Sequence, residues 1–281
     1  MKIMIKEMNG IDIIVPVHKY DENIASLLKR CLTSIDEMAI VSQEYGIKVV
    51  VHVVGDSNLP SEEITNMVDF KTEFDSFNVH ENITGELDFC SQVNFVVNNC
   101  CKNDYFMVVE FDDVVTSKWL IMAKPYIETR KKCPIFLPLV EAYDFNNPSM
   151  PLHYINEIGW SSLFAENELG SLNNTALHDY CNFNFTGAIV KRNEFIKAGC
   201  LKPSIKLSFG YELLLRLTNL YEEVYVVPKV GYFHFINRED SLTSEYHDTM
   251  SKEEGSWWIK LATEEYQYKK DRKKTYIPDA E

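Results

Sequence analysis

Glu110, Asp112 and Asp113 follow an apolar run, Tyr105 to Val109, and apolar residues resume at Val114. Buried strands of a parallel sheet read as continuous hydrophobic runs, so these acids belong at a strand's carboxyl end. That edge is where α/β sheets bind ligands. Carboxylates crowded there repel one another unless a cation or a donor compensates. The chemistry expected is a divalent metal, Mn²⁺ or Mg²⁺, carrying a phosphorylated substrate.

The surrounding pattern supplies the scaffold. Residues 11–17, IDIIVPV, make a short strand closed by Pro16. From Asn23 the apolar residues Ile24, Leu27, Leu28, Cys31, Ile35 and Met38 recur at helical spacing, with Asp21 or Asn23 as cap. Residues 48–54 give a second strand ending in Gly55-Asp56-Ser57-Asn58, and Ser61 opens a short helix. A strand over 77–81, a helix over 85–100 and the acid-tipped strand follow, then a helix over 119–130 and a strand over 135–140, where Pro138 suggests an edge. This alternation predicts a parallel, doubly wound α/β sheet. Between Tyr143 and Tyr180 regularity fades into a long binding loop or lid. Later elements are a strand over 184–190, a short helix over 192–198, a Leu-rich helix over 211–220, strands at 224–227 and 231–235, and a final helix from about 251 to 274.

The 281 residues suffice for a substantial core, and 46% apolar with 25% charged residues is ordinary for a globular protein. No apolar run reaches the roughly 18 residues of a membrane span, so a cytoplasmic protein is expected, in the host cytoplasm if viral. The seven cysteines, scattered through apolar segments, read as reduced thiols. A net charge of −14 argues against a general nucleic-acid coat protein.

The order of the pieces resembles the family 2 glycosyltransferases of the GT-A fold. The matching segments are Ile14-Val15-Pro16-Val17-His18-Lys19-Tyr20, Arg30 to Ile35, Val53 to Ser57, Tyr105 to Asp113, Thr186 to Arg192, Tyr211 to Arg216 and Tyr232 to Thr243. Glu110 replaces the first Asp of the family's acidic motif. The resemblance implies a Rossmann-like, mostly parallel sheet flanked by helices. A GT-A domain would span 1–245, with a nucleotide-binding half to about 140 and an acceptor-binding half from 141, followed by a helical extension over 246–281. It also implies a hexosyl- or pentosyltransferase that moves a sugar, with inversion, from a nucleotide-diphosphate donor, UDP-linked, to an acceptor hydroxyl.

Under that resemblance Asp112 and Asp113 hold the metal, Asp113 most directly, and Glu110 contacts ribose or metal. Asp56 accepts hydrogen bonds from the donor's base or ribose, although its turn would also suit a plain turn aspartate. Pro16 and Val17 line the nucleotide pocket, and Tyr20 or Asp21 lies against the base. His234 completes the metal shell or serves as a core histidine. Arg238 clamps the diphosphate as a bidentate donor or pairs with Glu239 or Asp240. The family's acidic general base precedes the Tyr211 helix, where this chain has Phe209-Gly210. Glu212 is the nearest substitute and Asp179 the second candidate. Rival readings are a nucleotidyltransferase and a nucleotide-sugar binding protein that has lost turnover. The acceptor expected is a glycan, or less favoured, a hydroxymethylated base of phage DNA meeting the basic cluster Lys269 to Lys274.

Overall fold

The computed structural model describes residues 8–70, 76–81, 88–161, 168–205, 207–239, 241 and 251–267. The Lys269–Lys274 cluster, Asp240 and the Leu242-Thr243 end of the last matching segment lie outside these residues. So do the first three residues expected in the 85–100 helix.

The chain opens with β1 (Gly10–Pro16), α1 (Glu22–Gln43), β2 (Lys48–Gly55), α2 (Ser61–Asn66) and β3 (Ser76–Glu81). It continues through α3 (Phe89–Asn99), β4 (Tyr105–Val108), β5 (Val114–Val115), α4 (Trp119–Thr129) and β6 (Ile135–Asp144). Then come β7 (Pro151–Ile155), a 3-10 turn (Glu157–Trp160), β8 (Ser171–Leu172), α5 (Asn174–Asp179), β9 (Ile189–Lys191), α6 (Arg192–Lys197), α7 (Phe209–Tyr221), β10 (Val224–Ile236) and α8 (Lys252–Gln267).

The described strands form one ten-stranded sheet in the order β3-β2-β1-β4-β9-β6-β10-β5, with β7 beside β6 and β8 beside β10. Pairing within β3-β2-β1-β4 is parallel throughout. The parallel character stops there: β9 runs antiparallel to both β4 and β6, while β6 and β10 are parallel to each other. The sheet is therefore parallel in its first half and mixed in its second. The chain steps outward from β1 through α1 and returns across the sheet to β4 through α3, so β1 and β4 flank the switch point where α/β sheets bind ligands.

Alternation along β1 divides the core. Ile11, Ile13 and Val15 enter the layer beneath α1, α2 and α4, whereas Ile14 joins the layer of α3, α6 and α7. Asp21 caps α1 by accepting the Ile24 N–H at 3.0 Å. Helix α8 packs on α7 and contributes the buried Ala262 to the second layer, so the C-terminal extension shares the core of the domain before it.

The segment expected to be an irregular lid is instead largely ordered. Strand β6 runs on to Asp144, turns through Asn146-Asn147, and returns as β7. Pro138 lies inside the sheet, not at an edge. It falls between the residues that pair with β9 and those that pair with β7, where its missing N–H breaks no ladder. The strand expected over 184–190 shortens to β9 because Asn184 accepts the Thr186 N–H at 3.0 Å and Gly187 turns at φ +74.

Candidate functional site

At the carboxyl ends of β1, β2 and β4 the sheet brings three sequence-distant turns to one edge. Pro16 closes β1, and the Val17 N–H extends the ladder by donating to Val54 O at 2.8 Å. Asp56 follows β2, half-exposed, and accepts from Asn58 N and Nδ2 at 3.0 and 3.2 Å. This is a closed Asx turn at the ligand edge. The Tyr20 hydroxyl donates to Glu63 at 2.6 Å, tying the β1–α1 turn to α2, so only its ring is left to meet a base.

The acidic turn follows β4. Val109 N–H still bonds Ile14 O, and the Glu110 N–H then donates to the Tyr232 hydroxyl at 2.9 Å. Asp113 is fully buried beside β10 because β5 pairs Val115 with Tyr232 and Val114 with Phe233. One residue further along, His234 Nδ1 lies 2.8 Å from Asp113 Oδ2, and the Phe235 N–H donates to Oδ1 at 2.8 Å. Donor atoms of Glu110, Asp113 and His234 all fall within 4.8 Å of one another.

The electrostatics fit a cation. Burial, then the charge of Asp113, pushes the Glu110 carboxyl up to about 8. Burial and Asp113 also raise Asp112. Burial alone would depress His234, but Asp113, Glu110 and Asp112 outweigh it and lift the imidazole to about 10. The protons held here do what a divalent ion would do. Two carboxylates and an imidazole also make a donor set suited to Mn²⁺.

Three expected site residues sit in surroundings of their own. Asp112 lies outside that group, its Oδ2 accepting from Arg238 Nε at 3.1 Å, while Glu110, expected at ribose or metal, lies within it. Arg238 is correspondingly buried, with its guanidinium 5.4 Å from the Phe111 ring centroid, and braces the acidic turn. Glu212 is wholly buried and lies 2.6 and 3.1 Å from Arg216 nitrogens and 2.9 Å from Lys202 Nζ, an arrangement that closes it to an acceptor proton. Asp179 is exposed at the end of α5, which packs on α7.

Two residues of the site carried no role in the sequence reading. Arg30, on α1, donates from its guanidinium to Asp112 O and lies 4.0 Å over the Phe235 ring. Its signal was an arginine bordering the apolar stripe of a long helix. Tyr232 is fully buried yet polar at its tip, and among the described residues the acidic turn gives that hydroxyl its partner.

This layout is the GT-A fold. No protein-family model and no curated protein matches the chain. Solved structures do. S. aureus TarS 1–349 superposes with a TM-score of 0.57 at 14% identity, covering 80% of this chain and 60% of that one. The same protein in complex with UDP-GlcNAc gives 0.60 at 12% identity, covering 84% and 61%. Its complex with UDP gives 0.54 at 15% identity, covering 82% and 62%. The chain thus spans about three fifths of the TarS 1–349 structures it resembles.

Proposed function

We propose that this protein is a metal-dependent glycosyltransferase that moves a hexosyl or pentosyl group from a UDP-linked sugar to an acceptor hydroxyl. The reading is carried by the Glu110, Asp113 and His234 donor set, which shares the switch-point edge of a GT-A sheet with Pro16, Val17 and Asp56. The choice of UDP is supported by the UDP-GlcNAc and UDP complexes of TarS.

A departing diphosphate gathers charge as the glycosidic bond breaks, and a bound Mn²⁺ or Mg²⁺ would neutralise it. The protein's own groups prepare that position. The Phe235 N–H fixes the direction of the Asp113 carboxylate, and the Tyr232 hydroxyl anchors the Glu110 backbone. Arg30 and Arg238 hold the main chain and side chain of Asp112 between them, bracing the turn. Asp56 and the ends of β1 and β2 offer the surface for ribose and base. Inversion requires a base on the acceptor side. With Glu212 engaged by Arg216 and Lys202, Asp179 is the remaining expected carboxylate, and a glycan hydroxyl is the acceptor assigned.

The test is a thermal-shift and donor-consumption screen of nucleotide-sugars with Mn²⁺ and with chelator. A UDP-sugar should raise the Tm and be hydrolysed or transferred only with metal. A screen in which no nucleotide-sugar binds or is consumed would overturn the proposal.

A further inference from the structure

A second constellation lies away from the acidic edge, inside the parallel half of the sheet on the α3 side. Asp12 and His52 are buried polar residues on the central strands β1 and β2. Cys101, also buried, follows the end of α3 where the chain turns toward β4. A carboxylate oxygen of Asp12, a ring nitrogen of His52 and the Cys101 Sγ all lie within 4.8 Å of one another. We propose that Asp12, His52 and Cys101 form a structural Zn²⁺ site, separate from the acidic one.

The donor chemistry is the first argument. Thiolate, imidazole and carboxylate together suit Zn²⁺, whereas Mg²⁺ and Ca²⁺ prefer all-oxygen shells. One Asp⁻ and one Cys⁻ also cancel the charge of Zn²⁺, so the loaded site is neutral, as a buried site needs to be. Tetrahedral zinc sets its ligand atoms about 3.3–3.6 Å apart. His52 Nε2 and Asp12 Oδ1 are at 2.9 Å, and the sulfur lies within 4.8 Å of both, so small side-chain rotations suffice.

The outer partners are the second argument. Asp12 Oδ2 accepts the N–H groups of Lys102 and Asn103 at 3.1 and 2.7 Å, which fixes the carboxylate and leaves Oδ1 facing His52. His52 Nδ1 lies 2.9 Å from His80 Nε2, and His80 Nδ1 lies 3.8 Å from Cys100 Sγ. Taking both rings as neutral without metal, His52 Nε2–H donates to Asp12 and His80 Nε2–H donates to His52. With metal, each ring moves its single proton to Nδ1: His52 donates to His80, and His80 turns its proton toward the Cys100 sulfur. Cys101 loses its thiol proton to solvent, so one proton is released per Zn²⁺ bound. A ligating histidine whose other nitrogen is held by an outer partner is the usual arrangement of a metal centre. Three protein donors fill three of the four tetrahedral positions. The site would pin β1, β2 and the α3–β4 turn together beneath the strand ends that carry Pro16 and Asp56.

The test uses the full chain, reduced and stripped with chelator, titrated with Co²⁺ as probe and then with Zn²⁺. The wild type should develop a sulfur-to-cobalt charge-transfer band that saturates at about one Co²⁺ per chain and is abolished by Zn²⁺. Zn²⁺ should also raise its Tm. Asp113→Asn, which alters the acidic site, should keep both responses. Cys101→Ser should lose the band, whatever part of the Tm rise Zn²⁺ at the acidic site retains, and His52→Gln supplies the same reading should Cys101→Ser fail to fold. Absence of the band in the wild type, its persistence in Cys101→Ser or His52→Gln, or its loss in Asp113→Asn would each overturn the proposal.

Discussion

His234 and Asp113 meet at 2.8 Å across the β5–β10 pairing, while the next residue's N–H, from Phe235, holds the other Asp113 oxygen at 2.8 Å. A fully buried carboxylate held on both oxygens has one orientation. Asp113→Asn keeps the shape and removes the charge. Mn²⁺-dependent consumption of a UDP-sugar should then fall on the order of 10²-fold or more, since a preorganised charge next to a developing one has an effect of that size. The metal-free protein should unfold at a lower temperature, because the His234 imidazolium loses its buried partner. Activity at wild-type levels would remove Asp113 from the metal site.

Glu212 gives the opposite outcome. It is wholly buried and paired with Arg216 and Lys202, and Arg216 Nη1 also donates to Ala198 O at 2.6 Å. Glu212→Ala strands the Arg216 charge, and breaking one half of a buried pair costs about 3–5 kcal/mol. The Tm should drop by roughly 10 °C. Glu212→Gln keeps the hydrogen-bonding shape and should lose less. The decisive reading is kcat of the folded fraction of Glu212→Gln: a value near wild type confirms a structural role, and a collapse of kcat with intact Tm would make Glu212 a base after all.

What was legible in the sequence follows from how each element is stabilised. Strands β1, β2 and β4 are apolar runs because both faces are buried, and the acids at their tips stand out for the same reason. Strand β7 was not legible. Pro151-Leu152-His153-Tyr154-Ile155 is largely exposed, shows no alternation, and is a strand because β6 pairs with it. The two strands expected at 224–227 and 231–235 are one, β10, because register shifts between Val226 and Tyr232 absorb Pro228 and Gly231. At the site, the family resemblance pointed to the adjacent pair Asp112-Asp113 for the metal. The structure instead ties Asp112 to Arg238, 126 residues away, and no local pattern carries that.

Gly187 links the core to the acidic turn. Its φ is +74, and an added Cβ would sit 2.5 Å from the Tyr232 ring, whose hydroxyl supports Glu110. Its N–H donates to Val108 O, and its carbonyl accepts from Trp119 Nε1 at 2.8 Å, so the backbone has nowhere to retreat. Gly187→Ala should cost more than about 1 kcal/mol through the positive φ alone. Displacement of Tyr232 should also weaken Mn²⁺ binding, measured by calorimetry on the folded protein. A variant with unchanged Tm and unchanged Mn²⁺ affinity would separate the turn from the site.

Alkaline pH should unfold the protein through its thiols. Burial pushes the Cys133 thiol from 9.0 up to about 12, and Cys90 and Cys101 are raised by burial as well. Below pH 9 these thiols are protonated in both the folded and unfolded chains, so their contribution to stability is fully present. Above 9 the unfolded chain ionises and the folded one does not. Stability therefore falls by about 1.4 kcal/mol per pH unit for each such thiol, until pH passes the folded value. Denaturant melts at pH 8, 9, 10 and 11 should show this decline, and Cys133→Val should flatten part of it. Under native conditions at pH 8 a thiol reagent should modify the exposed Cys181 first and leave Cys133 untouched until the chain unfolds. Equal labelling rates for Cys133 and Cys181 in the folded protein would contradict the burial that the sheet imposes.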